Sequence, residues 1–183
     1  VLVTLAQEVE NMIVSSADLS NSDKTDGFIK GGARNLVKGD FSGKFLQAGV
    51  AELTMAAICT GIALHGGIHV ACATFFVFSD YMKPAFRLSA LMQMPVKYIW
   101  THDAFRVGED GPTHQPIEHE AQLRLLEKMQ NHAGKMSMLA LRPADAAETS
   151  VAWKMAMENT ETPTALVLSR QNINDLPAAT DRY

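Results

Sequence analysis

The feature that most constrains the fold of this chain is an alternation of two kinds of apolar segment. Short runs rich in β-branched and aromatic residues alternate with longer segments in which apolar residues recur at helical spacing. Most of the short runs are continuously apolar, which is typical of strands that are covered on both faces. They predict strands at residues 12–15, 45–47, 68–74, 96–101, 136–141 and 165–169.

Helical patterns occupy most of the intervals between these runs. The predicted helices are residues 50–64, 76–91, 117–128 and 143–158. Strands and helices that alternate in this way form a parallel sheet between two helix layers. The length of 183 residues suits one buried core, and no shift in composition indicates a second one. We therefore predict a single α/β domain over residues 1–183, a three-layer sandwich with a mostly parallel sheet.

Composition and charge argue against several classes of partner. The net charge is −4, and the lysines and arginines of residues 24–44 lack interleaved aromatic residues, so no nucleic-acid partner is predicted. The longest apolar region, residues 50–64, is too short to cross a bilayer, so no membrane partner is predicted. Cys59 and Cys72 lie in apolar runs, as buried thiols of a cytoplasmic protein do. The chain starts at Val1 without a signal-peptide pattern, and we expect it to begin inside a longer polypeptide.

Two motif-like segments are rejected. The segment GDFSGK, residues 39–44, has the wrong glycine spacing for a phosphate-binding P-loop and lacks the Ser or Thr that follows its lysine. His65, His69 and Cys72 could be drawn as metal ligands, but a helix that ends near residues 66–67 keeps them off one common face. We predict no metal held by this domain alone.

One acidic residue stands inside an otherwise apolar segment. Residues 50–64 read VAELTMAAICTGIAL, and Glu52 is the single acidic residue among them. A helix that is apolar around its circumference is normally buried, and a buried carboxylate costs free energy unless it has a partner. Two interpretations remain open: a first-turn glutamate that satisfies helix N–H groups, or a carboxyl group that exchanges a proton with a ligand nitrogen.

Three aromatic residues follow the third predicted strand at spacings of three. Phe75, Phe78 and Tyr81 would form one arc on the succeeding helix. An aromatic stripe at helical spacing is most often core. This one starts at the carboxyl end of a strand, where a planar ligand can stack, so it is also a candidate binding surface.

Two long connections, residues 17–44 and 102–116, lack strong periodicity and follow predicted strands directly. Ligands of parallel sheets collect beyond the carboxyl ends of strands, so these loops are candidate functional segments. The second loop holds THD (101–103) and GEDGPTHQP (108–116), whose glycines and prolines fix the backbone around His102, Asp110 and His114. LSRQN (168–172) ends the last strand, and its Arg170 is either a phosphate-binding guanidinium or a partner in a surface salt bridge.

These segments together resemble the transketolase family of thiamin-diphosphate enzymes. The resemblance rests on SADL (16–19), GVAE (49–52), THD, GEDGPTHQP, RPAD (142–145) and LSRQN, in the family's order over nearly the whole chain. GEDGPTHQP with LSRQN is the specific pair, because related thiamin-diphosphate families share the architecture and the GVAE-type glutamate without it. The chain is similar to the central, pyrimidine-binding domain of a transketolase.

The resemblance implies a role for each matching residue. Glu52 matches the glutamate that hydrogen-bonds the cofactor's aminopyrimidine ring nitrogen and so promotes loss of the thiazolium C2 proton. Glu52, His102 and His114 are the implied catalytic residues. The other implied contacts are an aromatic pocket for the pyrimidine (Phe75, Phe78, Tyr81), an aspartate near the thiazolium (Asp18) and a sugar-phosphate site (Ser22, His102, Asp110, His114, Arg170).

The resemblance also implies an activity and partners. The family transfers a two-carbon ketol unit between sugar phosphates of the pentose phosphate pathway, as a cytoplasmic homodimer with thiamin diphosphate and Mg²⁺ or Ca²⁺. The 183 residues contain no GDG-plus-Asn diphosphate–metal motif. The metal and the diphosphate are thus expected on the amino-terminal domain of a partner subunit, and this domain alone, without that domain and a carboxyl-terminal one, is expected to be inactive. Two alternatives remain: the carboxyl-side subunit of a naturally split transketolase, and a non-catalytic α/β interaction module.

Overall fold

A computed structural model of the chain describes residues 1–177 and contains one six-stranded sheet. The strands are β1 (Met12–Ser16), β2 (Phe45–Gln47), β3 (His69–Phe75), β4 (Lys97–Thr101), β5 (Leu139–Leu141) and β6 (Thr164–Leu168). They lie in the order β2-β1-β3-β4-β6-β5, and every neighbouring pair is parallel. The predicted α/β class with a parallel sheet is confirmed.

Helices cover both faces of the sheet. The α-helices of the described residues are α1 (Leu2–Glu8), α2 (Asp26–Lys30), α3 (Glu52–His65), α4 (Ser79–Leu91), α5 (His119–Lys128) and α6 (Ala146–Glu158). One apolar cluster packs α3, α4 and α5 against one face, which includes Tyr98 and Trp100. A second cluster packs α1, α2 and α6 against the other face, which includes Val14 and Ile99. Successive strand residues point to opposite faces, and the continuously apolar runs arise because both faces are buried.

Two short helices, α1 and α2, are not predicted by the sequence pattern. The first has no buried residue, and the second has five residues and lies inside the predicted loop 17–44. Neither is long enough to show a clear helical period. They pack on each other at Gly31, where an added Cβ would lie 2.6 Å from both the Ala6 Cβ and the Val3 carbonyl oxygen. Glycine is therefore needed for this close approach.

Several elements begin later than predicted. The affected starts are Glu52 for α3, His69 for β3, Ser79 for α4, Lys97 for β4, His119 for α5, Leu139 for β5 and Ala146 for α6. The cause is visible in α6, where the Asp145 side chain accepts a hydrogen bond from the Glu148 N–H at 2.9 Å. A side-chain cap of this kind fixes the helix start one residue after Asp145.

The two long loops leave the same edge of the sheet. Residues 17–44 follow β1 and residues 102–116 follow β4, with β3 between these two strands. Asp18, Lys24 and His102 have φ angles of 63°, 65° and 65° in these loops. Left-handed backbone costs a side-chain-bearing residue roughly 1–2 kcal/mol, and such strain gathers at ligand sites. The carboxyl edge is therefore the candidate functional site.

Within residues 1–177 no helix has the length and apolar character needed to cross a bilayer. The longest helix of this part, α3, has 14 residues. A membrane-spanning helix needs about 20.

Candidate functional site

A polar cleft of about 340 Å³ opens at the carboxyl edge of the sheet, between the loops that follow β1, β4 and β6. Five residues predicted from the sequence line it together: Ser22, Phe75, His102, Asp110 and Arg170. Four more lining residues had no role assigned from the sequence: Asn21, Lys24, Gln171 and Asn172. The loops thus converge as a parallel sheet predicts.

A larger cavity lies elsewhere and has a different character. It measures about 560 Å³, is lined mainly by apolar atoms, and lies between Met136, Met155 and Glu161. It contains none of the predicted site residues. The polar cleft is the candidate site, because it brings together side chains that can bind or react, whereas the larger cavity has none of the residues predicted for such a role.

His102 contributes a neutral imidazole to the cleft. The residue is 2% exposed, its Nδ1 lies 2.9 Å from the Thr101 Oγ1, and its ring stacks on Phe75 with centroids 3.7 Å apart. Burial lowers the pKa of His102 to about 4; the Asp110 carboxylate opposes this shift and the Arg170 charge adds to it. At neutral pH the ring is uncharged, so Nε2 can share a proton with a ligand.

Asp110 lies between His102 and Arg170. Its Oδ2 is 3.8 Å from the His102 Nε2 and 3.6 Å from the Arg170 Nε, both beyond hydrogen-bond length. This oxygen is inaccessible to solvent and has no hydrogen-bond donor among residues 1–177. Arg170 also forms an ion pair with Glu109. The Asp110 side chain as a whole is 27% exposed and lines the cleft, so its carboxylate is a candidate acceptor for a ligand hydroxyl.

An aromatic group stands beside the cleft at the start of α4 and consists of Phe75, Phe78, Tyr81 and His114; of these four, Phe75 lines the cleft. Phe75 and Phe78 stack with centroids 5.7 Å apart, and Phe78 and Tyr81 lie 6.0 Å apart. The His114 ring meets Phe75 and Phe78 edge-on, at 6.0 and 5.3 Å.

The prediction that these three aromatic residues stand on one helix is wrong. Phe75 ends β3, Phe78 lies in the 3-10 turn Phe76–Phe78, and Tyr81 lies in α4. The strand continues further than its pattern indicates, and the tight turn precedes the helix. Phe75 is covered by His102, whereas Tyr81 is 64% exposed and Phe78 is half-buried. The rings of Phe78 and Tyr81 are thus the ones that a planar ligand can reach.

Glu52 is the first residue of α3 and is 8% exposed. No hydrogen bond or ion pair with another residue of 1–177 engages its carboxylate, so the capping interpretation gains no support. Its carboxylate oxygens are not among the solvent-inaccessible atoms that lack a hydrogen-bond partner, so a ligand donor can reach them. Because α3 packs against α4, Glu52 and Tyr81 begin neighbouring helices.

A buried carboxylate organises the loop after β1. Asp23 is 1% exposed and accepts hydrogen bonds from the Ser16 Oγ at 2.7 Å, the Thr25 Oγ1 at 2.6 Å and the Thr25 N–H at 3.0 Å. Burial raises the pKa of Asp23, and these hydrogen bonds oppose the rise. The Ser16 Oγ also accepts the Leu19 N–H at 3.1 Å. Asp18 stands in the same loop, exposed and outside the cleft lining.

The comparisons with known proteins decide the family. A family model described as transketolase, pyrimidine-binding domain, matches residues 1–175. The chain belongs to this transketolase domain family. The transketolase of Halalkalibacterium halodurans is 50% identical over 181 residues, which cover 99% of this chain and 25% of the relative. The resemblance predicted from the motifs is confirmed.

Solved transketolase structures share the fold. A Pichia stipitis transketolase in complex with sedoheptulose-7-phosphate is 41% identical with a TM-score of 0.85, over 96% of this chain and 25% of that chain. An inactive β4 tetramer of a split-gene transketolase is 30% identical with a TM-score of 0.72, over 100% of this chain and 53% of that chain. This chain therefore spans about a quarter of the length of the curated transketolases that it matches.

Some motif residues of this transketolase domain have structural roles. The Arg142 Nη2 of RPAD lies 3.2 Å from the Asp103 Oδ2 of THD, and the Arg142 Nη1 lies 2.6 Å from the Glu120 Oε2. Asp145 of RPAD caps α6. These contacts tie the loop 102–116 to the start of α6, so the two motifs hold the backbone that carries His102 and Asp110.

One cluster of metal-ligating side chains occurs in the described part of the domain. Ligand atoms of Asp80, Glu118 and His119 lie within 4.8 Å of one another. The His119 Nε2 lies 3.1 Å from the Val77 carbonyl oxygen and 3.2 Å from the Asp80 Oδ2. A carbonyl oxygen only accepts, so Nε2 carries the proton and is not a ligand atom. The cluster joins the start of α5 to the start of α4. That this domain alone holds no metal stays a prediction.

Proposed function

We propose that this chain is the pyrimidine-binding part of a transketolase that transfers a two-carbon ketol unit between sugar phosphates. The observation that carries the proposal is the convergence of His102, Asp110, Arg170 and Ser22 on one polar cleft in a chain of this family. The Pichia stipitis relative in complex with sedoheptulose-7-phosphate supports a sugar phosphate as the substrate class. We place the whole protein in the cytoplasm.

The residues around α3 and α4 fit the pyrimidine end of thiamin diphosphate. Glu52, whose carboxylate has no donor among residues 1–177, begins one helix, and the accessible rings of Phe78 and Tyr81 stand at the beginning of the other. When bound, the cofactor supplies the carbanion chemistry. Glu52 would hold a proton against the aminopyrimidine ring nitrogen, and the two rings would fix the plane of the pyrimidine. We assign Asp18 to the thiazolium side.

The cleft residues would bind and orient the sugar. The partly exposed Asp110 carboxylate accepts a hydrogen bond from a hydroxyl of the sugar. The neutral imidazole of His102 shares a proton at Nε2 with a sugar hydroxyl or carbonyl, and His114 contacts the same end. Ser22 and Arg170 bind the phosphate, for which a guanidinium offers paired donors.

The proposed assembly is a homodimer in which this domain faces the diphosphate- and metal-binding domain of a partner subunit. The exposed apolar side chains of α3 and α4 support a covered face: Leu53, Ile58, Leu64, Leu88 and Leu91. The divalent ion, Mg²⁺ or Ca²⁺, would be held by that partner domain. The split-gene relative makes the carboxyl-side subunit of a split transketolase a second candidate, and the intact mass of the native gene product decides between the two.

Glu52→Gln in the full-length protein that contains this chain tests the proposal. General acid–base assistance by a side chain contributes roughly 10²–10⁴ in rate, so transfer between sugar phosphates should fall by at least about 100-fold. Glu10→Gln is the matched control, because Glu10 is exposed and stands outside the site.

Calorimetric titration of wild type and Glu52→Gln with thiamin diphosphate and Mg²⁺ accompanies the rates. Full activity in Glu52→Gln would remove the assigned role. A wild-type protein that neither binds the cofactor nor transfers a ketol unit would favour the non-catalytic interaction module.

A further inference from the structure

The loop after β1 brings a second cation into the polar cleft. The cations that line the cleft are Lys24 and Arg170. Arg170 already faces two carboxylates, through its pair with Glu109 and its Nε at 3.6 Å from the Asp110 Oδ2. Lys24 makes no ion pair with residues of 1–177, and its Nζ donates to the Asn21 carbonyl oxygen at 3.1 Å. The charge of Lys24 is therefore available to an anion that enters the cleft.

The backbone holds Lys24 in a conformation that lysine does not favour. Its φ is 65°, in the left-handed region. The neighbouring Asp23 stabilises this turn, because its carboxylate binds the Thr25 N–H and Oγ1 on one side and the Ser16 Oγ on the other. The Asp23 carboxylate thus accepts its hydrogen bonds from Ser16 and Thr25, and it forms no ion pair with Lys24 at 4.0 Å or less. The loop thus presents an ammonium group without neutralising it.

We propose that Lys24 binds a phosphate oxygen of the substrate beside Ser22 and contributes to the preference for phosphorylated sugars. This inference rests on the proposed function. A phosphate monoester is close to a dianion at neutral pH, and an ammonium group offers it three donors and a full charge. A guanidinium that faces two carboxylates compensates only part of that charge. Lys24 supplies the rest by exchanging the Asn21 carbonyl for a phosphate oxygen.

Substrate discrimination in the full-length protein tests the assignment. The measured quantity is kcat/KM for a pentose 5-phosphate and for the same pentose without phosphate, in wild type, Lys24→Gln and Lys24→Arg. Loss of one charge-assisted contact should lower kcat/KM for the phosphorylated sugar about 10- to 100-fold in Lys24→Gln. The unphosphorylated sugar should change by less than about threefold, and Lys24→Arg should keep most of the preference. Lys38→Gln is the control, since Lys38 is an exposed lysine outside the cleft.

Two results would overturn the inference: equal losses for both sugars in Lys24→Gln, or an unchanged preference. Inorganic phosphate gives a readout that does not depend on turnover, by calorimetric titration of the same variants. Its Kd should rise about 10-fold in Lys24→Gln and stay unchanged in Lys38→Gln. A wild-type protein without transfer activity would refute the proposed function, and the phosphate titration would still decide the role of Lys24. An equal Kd in wild type and Lys24→Gln would reject it.

Discussion

Replacing Lys97 with methionine should make the domain more stable. Lys97 begins β4 and is 1% exposed, and its Nζ donates one hydrogen bond, to the Pro95 carbonyl oxygen at 2.9 Å. No carboxylate of residues 1–177 lies within ion-pair distance of this amine. Burial lowers the pKa of Lys97 from 10.5 to about 8. When folding lowers the pKa of an amine, the charged form of that amine is less stable in the folded protein than in the unfolded chain, and it therefore destabilises the fold.

The size and sign of the effect follow from this shift. Each pKa unit corresponds to about 1.4 kcal/mol, so a depression from 10.5 to about 8 costs the folded state about 3 kcal/mol. At pH 7 the amine is protonated in both states, and the whole cost applies. Between pH 8 and 10.5 the unfolded chain binds more protons than the folded chain, so this cost fades as the pH rises. Methionine also removes the Pro95 hydrogen bond, worth about 1 kcal/mol, which leaves a gain of about 2 kcal/mol at pH 7.

Urea unfolding of the chain at pH 7, 9 and 10.5 measures this difference. Lys97→Met should gain about 2 kcal/mol at pH 7, and the gain should vanish or reverse by pH 10.5. Lys38→Met, an exposed lysine, should differ from wild type by less than about 0.5 kcal/mol at each pH. A variant that is no more stable at pH 7, or whose gain does not change with pH, would refute the argument from burial.

Two further changes test how the backbone is fixed. Asp145→Ala removes the cap of α6 and should lower the free energy of unfolding by about 1–2 kcal/mol in urea, whereas Ser150→Ala on the exposed side of the same helix should cost little. Gly43→Ala places a Cβ 2.2 Å from the Asn35 carbonyl oxygen and should cost more than about 2 kcal/mol. Gly61→Ala, in an open position of α3, should instead stabilise by up to about 1 kcal/mol, and equal effects at the two glycines would contradict the steric reading.

The strands and long helices could be predicted because they bury apolar surface on two sides of one sheet. That burial leaves continuous apolar runs for strands and a helical period in segments of ten or more residues. The shorter helices, α1 and α2, leave a weaker record, because with seven and five residues they are too short to repeat a helical period, although both also contact the second apolar cluster. Helix starts shift where a side chain such as Asp145 supplies a cap.

The site could be predicted to the level of the sheet edge. Parallel strands bring their carboxyl ends together, so His102 and Arg170 are expected at one edge, the family resemblance adds Ser22, and the structure places all three in one cleft. The sequence does not reveal Lys24 as a lining residue, because its direction depends on a left-handed φ that only the hydrogen bonds of Asp23 explain. Asp23, an aspartate seven residues after the end of β1, is the residue that could have drawn attention to this loop.

The state of His102 shows why residue types alone do not define the chemistry of the cleft. The charges that act on the pKa of the ring come from Asp110, Arg170, His114 and Glu109, and the two carboxylates act against Arg170 and His114. Burial is the larger cause and sets the ring neutral. The burial arises because His102 stacks on Phe75 and takes a positive φ directly after β4. A histidine between a threonine and an aspartate in an exposed loop would keep a pKa near 6.5. The strained turn therefore decides that His102 stands in the cleft as an uncharged imidazole.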